Sequence, residues 1–232
     1  APNTTNNAPA GWQTSDFNIT LSPSDATSGV NYTTYLVNGA ASNGTNINIS
    51  TDGIYNVTYY SVDVAGNVEL ATTLNVSLDK VAPAVNAGTD KTVNASSAQD
   101  ATISDVTSGV ASITWAKISG PGIVTFDAAT SEDTNISADT DGTYVIGVTV
   151  VDNAGNSNSD NITFIWDTTA PSVNAGTDSI TSAQINQNAT ASDATSGIAS
   201  YLWTKQTGAG IITFGTPAVE DTTISANADD TY

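Results

Sequence analysis

The chain has 232 residues and sets 23 acidic side chains against 4 basic ones, all lysine, for a formal charge of −19; it contains no Cys, His, Met or Arg. Those absences exclude a Ser-His-Asp triad, a thiol nucleophile, a zinc site of the usual ligand types and a disulfide framework. Four lysines are too few for a nucleic-acid footprint, and no run of about 18 apolar residues exists to span a membrane.

In chain order, residues 1–80 carry three landmarks. Asp25-Ala26-Thr27-Ser28-Gly29-Val30 comes first, then Asp52-Gly53-Ile54-Tyr55, then Val62-Asp63-Val64-Ala65-Gly66-Asn67. Residues 81–168 repeat them as Asp105-Val106-Thr107-Ser108-Gly109-Val110, Asp141-Gly142-Thr143-Tyr144 and Val151-Asp152-Asn153-Ala154-Gly155-Asn156. Residues 169–232 begin a third copy at an offset of 88, which relates Trp115 to Trp203, Phe126 to Phe214 and Tyr144 to Tyr232. Ordered landmarks at a fixed offset mark a tandem array of units at 1–80, 81–168 and 169–232.

Each unit reads as β. The runs Tyr55–Val62 and Tyr144–Val151 are rich in β-branched and aromatic residues, and Gly, Asn and Asp clusters bound such runs at short intervals. About seven short strands in each complete unit predict an all-β sandwich of immunoglobulin-like type. Trp115 and Trp203 then belong between the sheets. Tyr55 and Tyr144, each after Asp-Gly-x, belong to tyrosine corners that bond nearby backbone.

Residues 81–232 resemble the polycystic-kidney-disease (PKD) type of immunoglobulin-like repeat. The carrying residues are Ala87-Gly88-Thr89-Asp90, Ile113-Thr114-Trp115 with Ser119-Gly120-Pro121, and Tyr144 through Asp152. Residues 11–70 resemble the related bacterial surface repeat, with its Trp, its Ser-Gly-Val step and the stretch Tyr59-Tyr60-Ser61-Val62-Asp63-Val64-Ala65-Gly66-Asn67. The resemblance implies tandem immunoglobulin-like modules of a prokaryotic, bacterial or archaeal, cell-surface or filament protein. The third unit stops at the first residues of its predicted sixth strand, so the expectation is a window on a longer repeat protein or strands supplied by another chain.

In such a sandwich the B–C and F–G loops and the incoming linker lie at one end. In the second unit that end gathers Asp79, Asp105, Asp152, Asn153 and Asn156. The third unit offers Asp167 and Asp193, and the first Asp25, Asp63 and Asn67. Oxygen ligands of this kind suit Ca²⁺, and related surface repeats bind calcium with such loops, so Ca²⁺ is the expected ion and no organic cofactor is expected. The same residue types also suit turns for backbone reasons alone. A second acidic group, Asp90, Asp139 and Asp141, is expected at the opposite end. Paired carboxylates could serve a glycosidase. Repetition of the same residues in every unit instead argues for structure, and no enzyme is expected.

Eleven Asn-x-Ser/Thr sequons begin at Asn3, Asn18, Asn31, Asn43, Asn48, Asn56, Asn75, Asn94, Asn135, Asn161 and Asn188. Asn56, Asn75 and Asn161 should point outward, since Val57, Val76 and Ile162 should point in. The reading is an extracellular structural protein, a stalk or an assembling subunit of a surface layer, filament or adhesin. Its partners would be neighbouring copies of similar repeats and surface glycans. Accessory modules of a secreted carbohydrate-active enzyme are the alternative, which an exposed row of aromatics would favour.

Overall fold

The computed structural model describes all 232 residues, and every regular element is a strand, so no helix is long and apolar enough to cross a membrane. The first unit contains β1 (Asn3–Asn6), β2 (Trp12–Gln13), β3 (Phe17–Ser24), β4 (Val30–Val37), β5 (Ala40–Asn43), β6 (Asn46–Ile49), β7 (Gly53–Asp63) and β8 (Thr72–Leu78). They form a three-stranded sheet, β1-β3-β6, and a five-stranded sheet, β2-β8-β7-β4-β5. Alternation along the strands decides what each face carries. Ile19, Leu21, Ile47 and Ile49 from one sheet meet Val57, Tyr59, Val76 and Leu78 from the other in a closed core.

The second unit contains β9 (Ala84–Asn86), β10 (Lys91–Val93), β11 (Ser97–Gln99), β12 (Thr102–Ser104), β13 (Val110–Ser119), β14 (Val124–Phe126), β15 (Thr134–Ala138), β16 (Gly142–Asp152) and β17 (Ser157–Trp166). Its main sheet runs β10-β17-β16-β13, and the facing layer is split into β11-β15-β14 and β12-β9. The chain changes sheets between β9 and β10 at Gly88, where φ is +88° and an added Cβ would overlap the Asp100 carbonyl. Gln99 Nε2 caps this crossing on Ala87 O at 2.5 Å and Thr89 O at 3.3 Å. Gln187 does the same in the third unit, on Ala175 O and Thr177 O.

Trp115 is buried in the second core, with Tyr144, Ile146, Val148, Ile162 and Phe164. Its indole Nε1 donates to Ser131 O at 3.1 Å and Glu132 O at 3.2 Å. Tyr144 Oη donates to Thr140 O at 2.5 Å and Tyr55 Oη to Thr51 O at 2.6 Å, four residues upstream in both cases, so both tyrosine corners form. The two cores share no residue. This is an all-β chain of tandem immunoglobulin-like sandwiches.

The third unit contains β18 (Ser172–Asn174), β19 (Ile185–Gln187), β20 (Thr190–Ser192), β21 (Ile212–Phe214) and β22 (Thr222–Ala226), paired as β18-β20 and β19-β22-β21. Here the expectation for Trp203 needs correction: it is half-buried, although its Nε1 makes the same pair of bonds, to Val219 O and Glu220 O. Trp115 lies in the same sheet as β16 and β17, whose Tyr144, Val148, Ile162 and Phe164 pack around it in the core, and no ladder of this kind forms beside Trp203. Val173 remains largely exposed, whereas its counterpart Val85 packs against the second core.

Unit one differs from unit two at the end of its core nearest the 25–29 and 63–67 loops. Where unit two opposes Ile113 and Val150, unit one opposes Thr33 and Ser61. The Ser61 hydroxyl bonds those of Thr33 at 2.8 Å and Thr4 at 2.7 Å. Glu69 completes the network. Its carboxylate accepts from Thr4 N and Thr4 Oγ1, both at 2.6 Å, and from Ser61 N at 3.0 Å. Glu69→Ala would strand two backbone amides and a hydroxyl, a loss of about 1–3 kcal/mol for each buried group left unsatisfied. Amide hydrogen exchange should quicken first in β1, with unit two unchanged.

Candidate metal centre

The linker residues alternate in direction. Asp79 reaches forward: its Oδ2 accepts from Ser108 N at 3.0 Å, while its Oδ1 accepts from Val81 N. Lys80 reaches back: its backbone N donates to Asp52 Oδ1 at 3.2 Å, and its Nζ meets Asp16 Oδ1 and Ser50 O, each at 2.8 Å. The next joint repeats the pattern. Asp167 Oδ2 accepts from Ser196 N at 3.1 Å and from the Ser196 hydroxyl. Thr168 N donates to Asp141 Oδ1 at 2.8 Å, and Thr169 Oγ1 to Asp141 Oδ2 at 2.5 Å. The Asp of each Asp-Gly-x-Tyr turn therefore ties the outgoing linker to its own unit.

The B–C loops are built alike in all three units. Asp25 Oδ1 accepts from the amides of Thr27, Ser28 and Gly29, Asp105 Oδ1 from Ser108 and Gly109, and Asp193 Oδ1 from Thr195, Ser196 and Gly197. The glycine closing each loop holds φ near +78°, which a side chain would resist. In the F–G turns Asp63 accepts from Asn67 N and Nδ2, and Asp152 from Gly155 N, Asn156 N and Asn156 Nδ2. The two loops are joined by Val64 N to Gly29 O in unit one and Asn153 N to Gly109 O in unit two.

In Asp25, Asp63 and Asp193 such bonds favour the charged carboxylate. The Ser28 amide foremost holds Asp25 below its ordinary pKa, the Asn67 side chain does so for Asp63, and the Gly197 amide for Asp193. Asp141 is lowered chiefly by the Thr169 hydroxyl.

At the first joint the three acids converge: one carboxylate oxygen from each of Asp79, Asp105 and Asp152 lies within 4.8 Å of the others. Asp79 and Asp152 are buried, at 0% and 2% exposure, and the adjacent cation, Lys80, is engaged by Asp16. Buried charges ordinarily carry a counter-charge or a metal. Three hard oxygens this close can share one ion at 2.3–2.6 Å with small side-chain shifts, so the donor set fits Ca²⁺. Asn156 Nδ2 donates to Asp79 O and Asp152 Oδ2, and Asn153 Nδ2 to Ser108 O and Gly109 O. Both amides thus lace the loops together around the acids. At the second joint Asp167 and Asp193 share Ser196 in the same way.

The other acidic group does not gather. Asp90 accepts from Thr163 N, Asp139 from Ile123 N and Thr140 Oγ1, and Asp141 from the linker. The linker tie through Asp52 and Asp141 was not read from the sequence, although the repeated Asp-Gly-x-Tyr was its signal. Asp141→Ala removes three bonds to the 168–169 backbone and hydroxyls. Since the chain has no cysteine, spin labels at Thr149→Cys and Thr213→Cys would attach only there. Their distance distribution should broaden in Asp141→Ala with the fold of unit two intact.

Residues 87–165 match the family model described as K319L-like, PKD domain. The second unit is a PKD-like module. No curated protein matches the chain. Among solved structures, the three immunoglobulin domains I67–I69 of a titin variant are similar at 11% identity and TM-score 0.47, covering 99% of this chain and 89% of that one. Three N-terminal domains of the bacteriophage RB49 outer capsid protein Hoc are similar at 14% identity and TM-score 0.41, over 99% and 86%. The fibronectin(III)-like modules of Clostridium thermocellum CbhA are similar at 15% identity and TM-score 0.34, over 70% and 93%.

The eleven sequon asparagines are all exposed around the PKD-like module and its neighbours, while Val57, Val76 and Ile162 are buried as the alternation requires. Trp166 is buried and stacks on Phe164 with centroids 6.1 Å apart, and Trp12 is half-buried. The exposed aromatics, Tyr32 and Tyr232, lie in different units and form no row.

Proposed function

We propose that this chain is part of an extracellular structural protein whose sandwiches act as stiffly jointed beads of a stalk, surface layer, filament or adhesin. The observation that carries this reading is the two-way tie repeated at both joints. Asp79 and Asp167 bind the following unit, and the backbone beside each binds the preceding one. A chain that only needed a tether would not spend the same buried acid on every linker.

In this reading Asp79, Asp105 and Asp152 hold Ca²⁺ at the first joint, and Asp167 and Asp193 contribute to the same kind of site at the second. Asp25, Asp63 and Asn67 occupy the corresponding loops of unit one. Bound Ca²⁺ supplies the positive charge these carboxylates lack. The loop amides hold the oxygens in place, and the linker bonds fix the direction in which the next unit leaves. The sequons carry N-linked sugar, and the −19 charge keeps neighbouring copies soluble until salt or divalent ions screen it. Partners are further copies of such repeats and surface glycans, and the role is non-catalytic.

Small-angle scattering tests the reading. The chain should give an elongated particle with a single well-defined maximum dimension that lengthens or sharpens with calcium. A broad ensemble of compact and extended shapes, unchanged by calcium, would remove the stiff-joint reading.

A further inference from the structure

The outward sequons of unit one fall into two facing pairs. Asn18 on β3 lies directly opposite Asn48 on β6, and Asn56 on β7 lies directly opposite Asn75 on β8. The pairs sit on opposite sheets of the sandwich. Within each pair the side chains touch: Asn48 Nδ2 donates to Asn18 Oδ1 at 3.0 Å, and Asn56 Nδ2 to Asn75 Oδ1 at 3.2 Å. The second pair is flanked by another cross-strand contact, Thr58 Oγ1 to Thr73 Oγ1 at 2.8 Å, and Thr58 is itself the hydroxyl residue of the Asn56 sequon. Other sequons have no such rival. Asn3 faces Ser24, and Asn161 faces Gly147.

We propose that each facing pair accepts one N-linked sugar and excludes a second, an inference that rests on the reading above that the chain is N-glycosylated. The donor class is an oligosaccharide carried on a polyprenyl phosphate or pyrophosphate. The amide Nδ2 forms a bond to the anomeric carbon as the bond from that carbon to the phosphate oxygen breaks. The phosphate leaves with the electron pair, and Nδ2 gives up one proton to a base. The modified asparagine keeps one N–H and its Oδ1, enough to hold a single bond to an unmodified neighbour.

Two modified neighbours cannot share the space. Directly opposed side chains on antiparallel strands have Cβ atoms about 4.5–5.5 Å apart. Two pyranose rings with their substituents, both leaving the sheet in the same direction, are wider than that. Sideways tilt meets the flanking hydroxyls, as at Thr58 and Thr73. If transfer follows folding, the first sugar covers the second acceptor. If transfer precedes folding, a doubly modified chain cannot close the β3–β6 or β7–β8 register without splaying it, and it is depleted from the folded pool.

The test uses the whole chain secreted from a eukaryotic host that N-glycosylates. Lys80 is the first basic residue, so cleavage after lysine releases residues 1–80 as one fragment carrying both pairs. Electron-transfer fragmentation of that intact fragment reads which asparagines are modified on the same molecule. Sugar should appear at Asn18 or Asn48, and at Asn56 or Asn75, without co-occupancy. Asn18→Gln should raise occupancy at Asn48 to the level the two positions held together, with Asn161 unchanged. A fragment carrying sugar at both members of a pair overturns the inference, as does an Asn48 occupancy that ignores Asn18→Gln. Sugar at Asn3 or Asn161 with none at either pair overturns this inference alone. A chain without sugar at any sequon overturns the glycosylation reading and this inference with it.

Discussion

Trp115→Ala should destabilise the second unit by about 3–5 kcal/mol, the range for truncating a large core aromatic. Trp115 is 3% exposed, lies opposite Val148 across the β13–β16 ladder, and spends its Nε1 on two carbonyls that the substitution leaves without that donor. A single domain holds only about 5–15 kcal/mol in all, so the variant unit should unfold at markedly lower denaturant. Unit one should melt unchanged, because the two cores have no residue in common. The same substitution at Trp203 should cost far less, since that ring is half-buried and has no strand paired beside it. Chemical denaturation followed by circular dichroism separates these outcomes. Equal costs at the two positions would mean that burial by β16 and β17 is not what makes Trp115 valuable.

Calcium should raise the unfolding temperature of the region around the first joint by roughly 10–20 °C at a hundredfold excess over Kd. Binding only to the folded arrangement contributes RT ln(1 + [L]/Kd), about 2.7 kcal/mol, and 1 kcal/mol moves a domain of this size by about 4–8 °C. Asp105→Asn removes one charge and keeps one oxygen, so most of the rise should vanish. Asp178→Asn, an exposed acid away from the cluster, should leave the rise intact. That comparison separates a site at Asp79, Asp105 and Asp152 from general screening of the −19 charge, as does sodium chloride at matched ionic strength. No response to calcium, or equal responses in both variants, would leave the three acids as loop formers.

Much of this architecture was legible because its signals are local. Period-two alternation placed Val57, Val76 and Ile162 inside and Asn56, Asn75 and Asn161 outside with no knowledge of which strands pair. The Asp-Gly-x-Tyr stretches marked both tyrosine corners because that bond spans four residues of the same turn. The convergence of Asp79, Asp105 and Asp152 followed from knowing which loops of a sandwich share an end.

What the sequence alone determined is therefore the repeat, the strand faces and the set of acids at each joint. Only the tertiary structure decided how those parts meet, because register and contact across sheets depend on partners far apart in the chain. It opposed Asn18 to Asn48 and Asn56 to Asn75. It put Thr33, Ser61 and Glu69 where unit two keeps Ile113 and Val150, a swap that no alternation pattern announces. It turned the amides of Asn153 and Asn156 toward carbonyls and a carboxylate as donors, and it gave Asp52 and Asp141 to the linker. It also left Trp203 half-covered, because a core residue is buried by the side chains packed around it and not by its own identity.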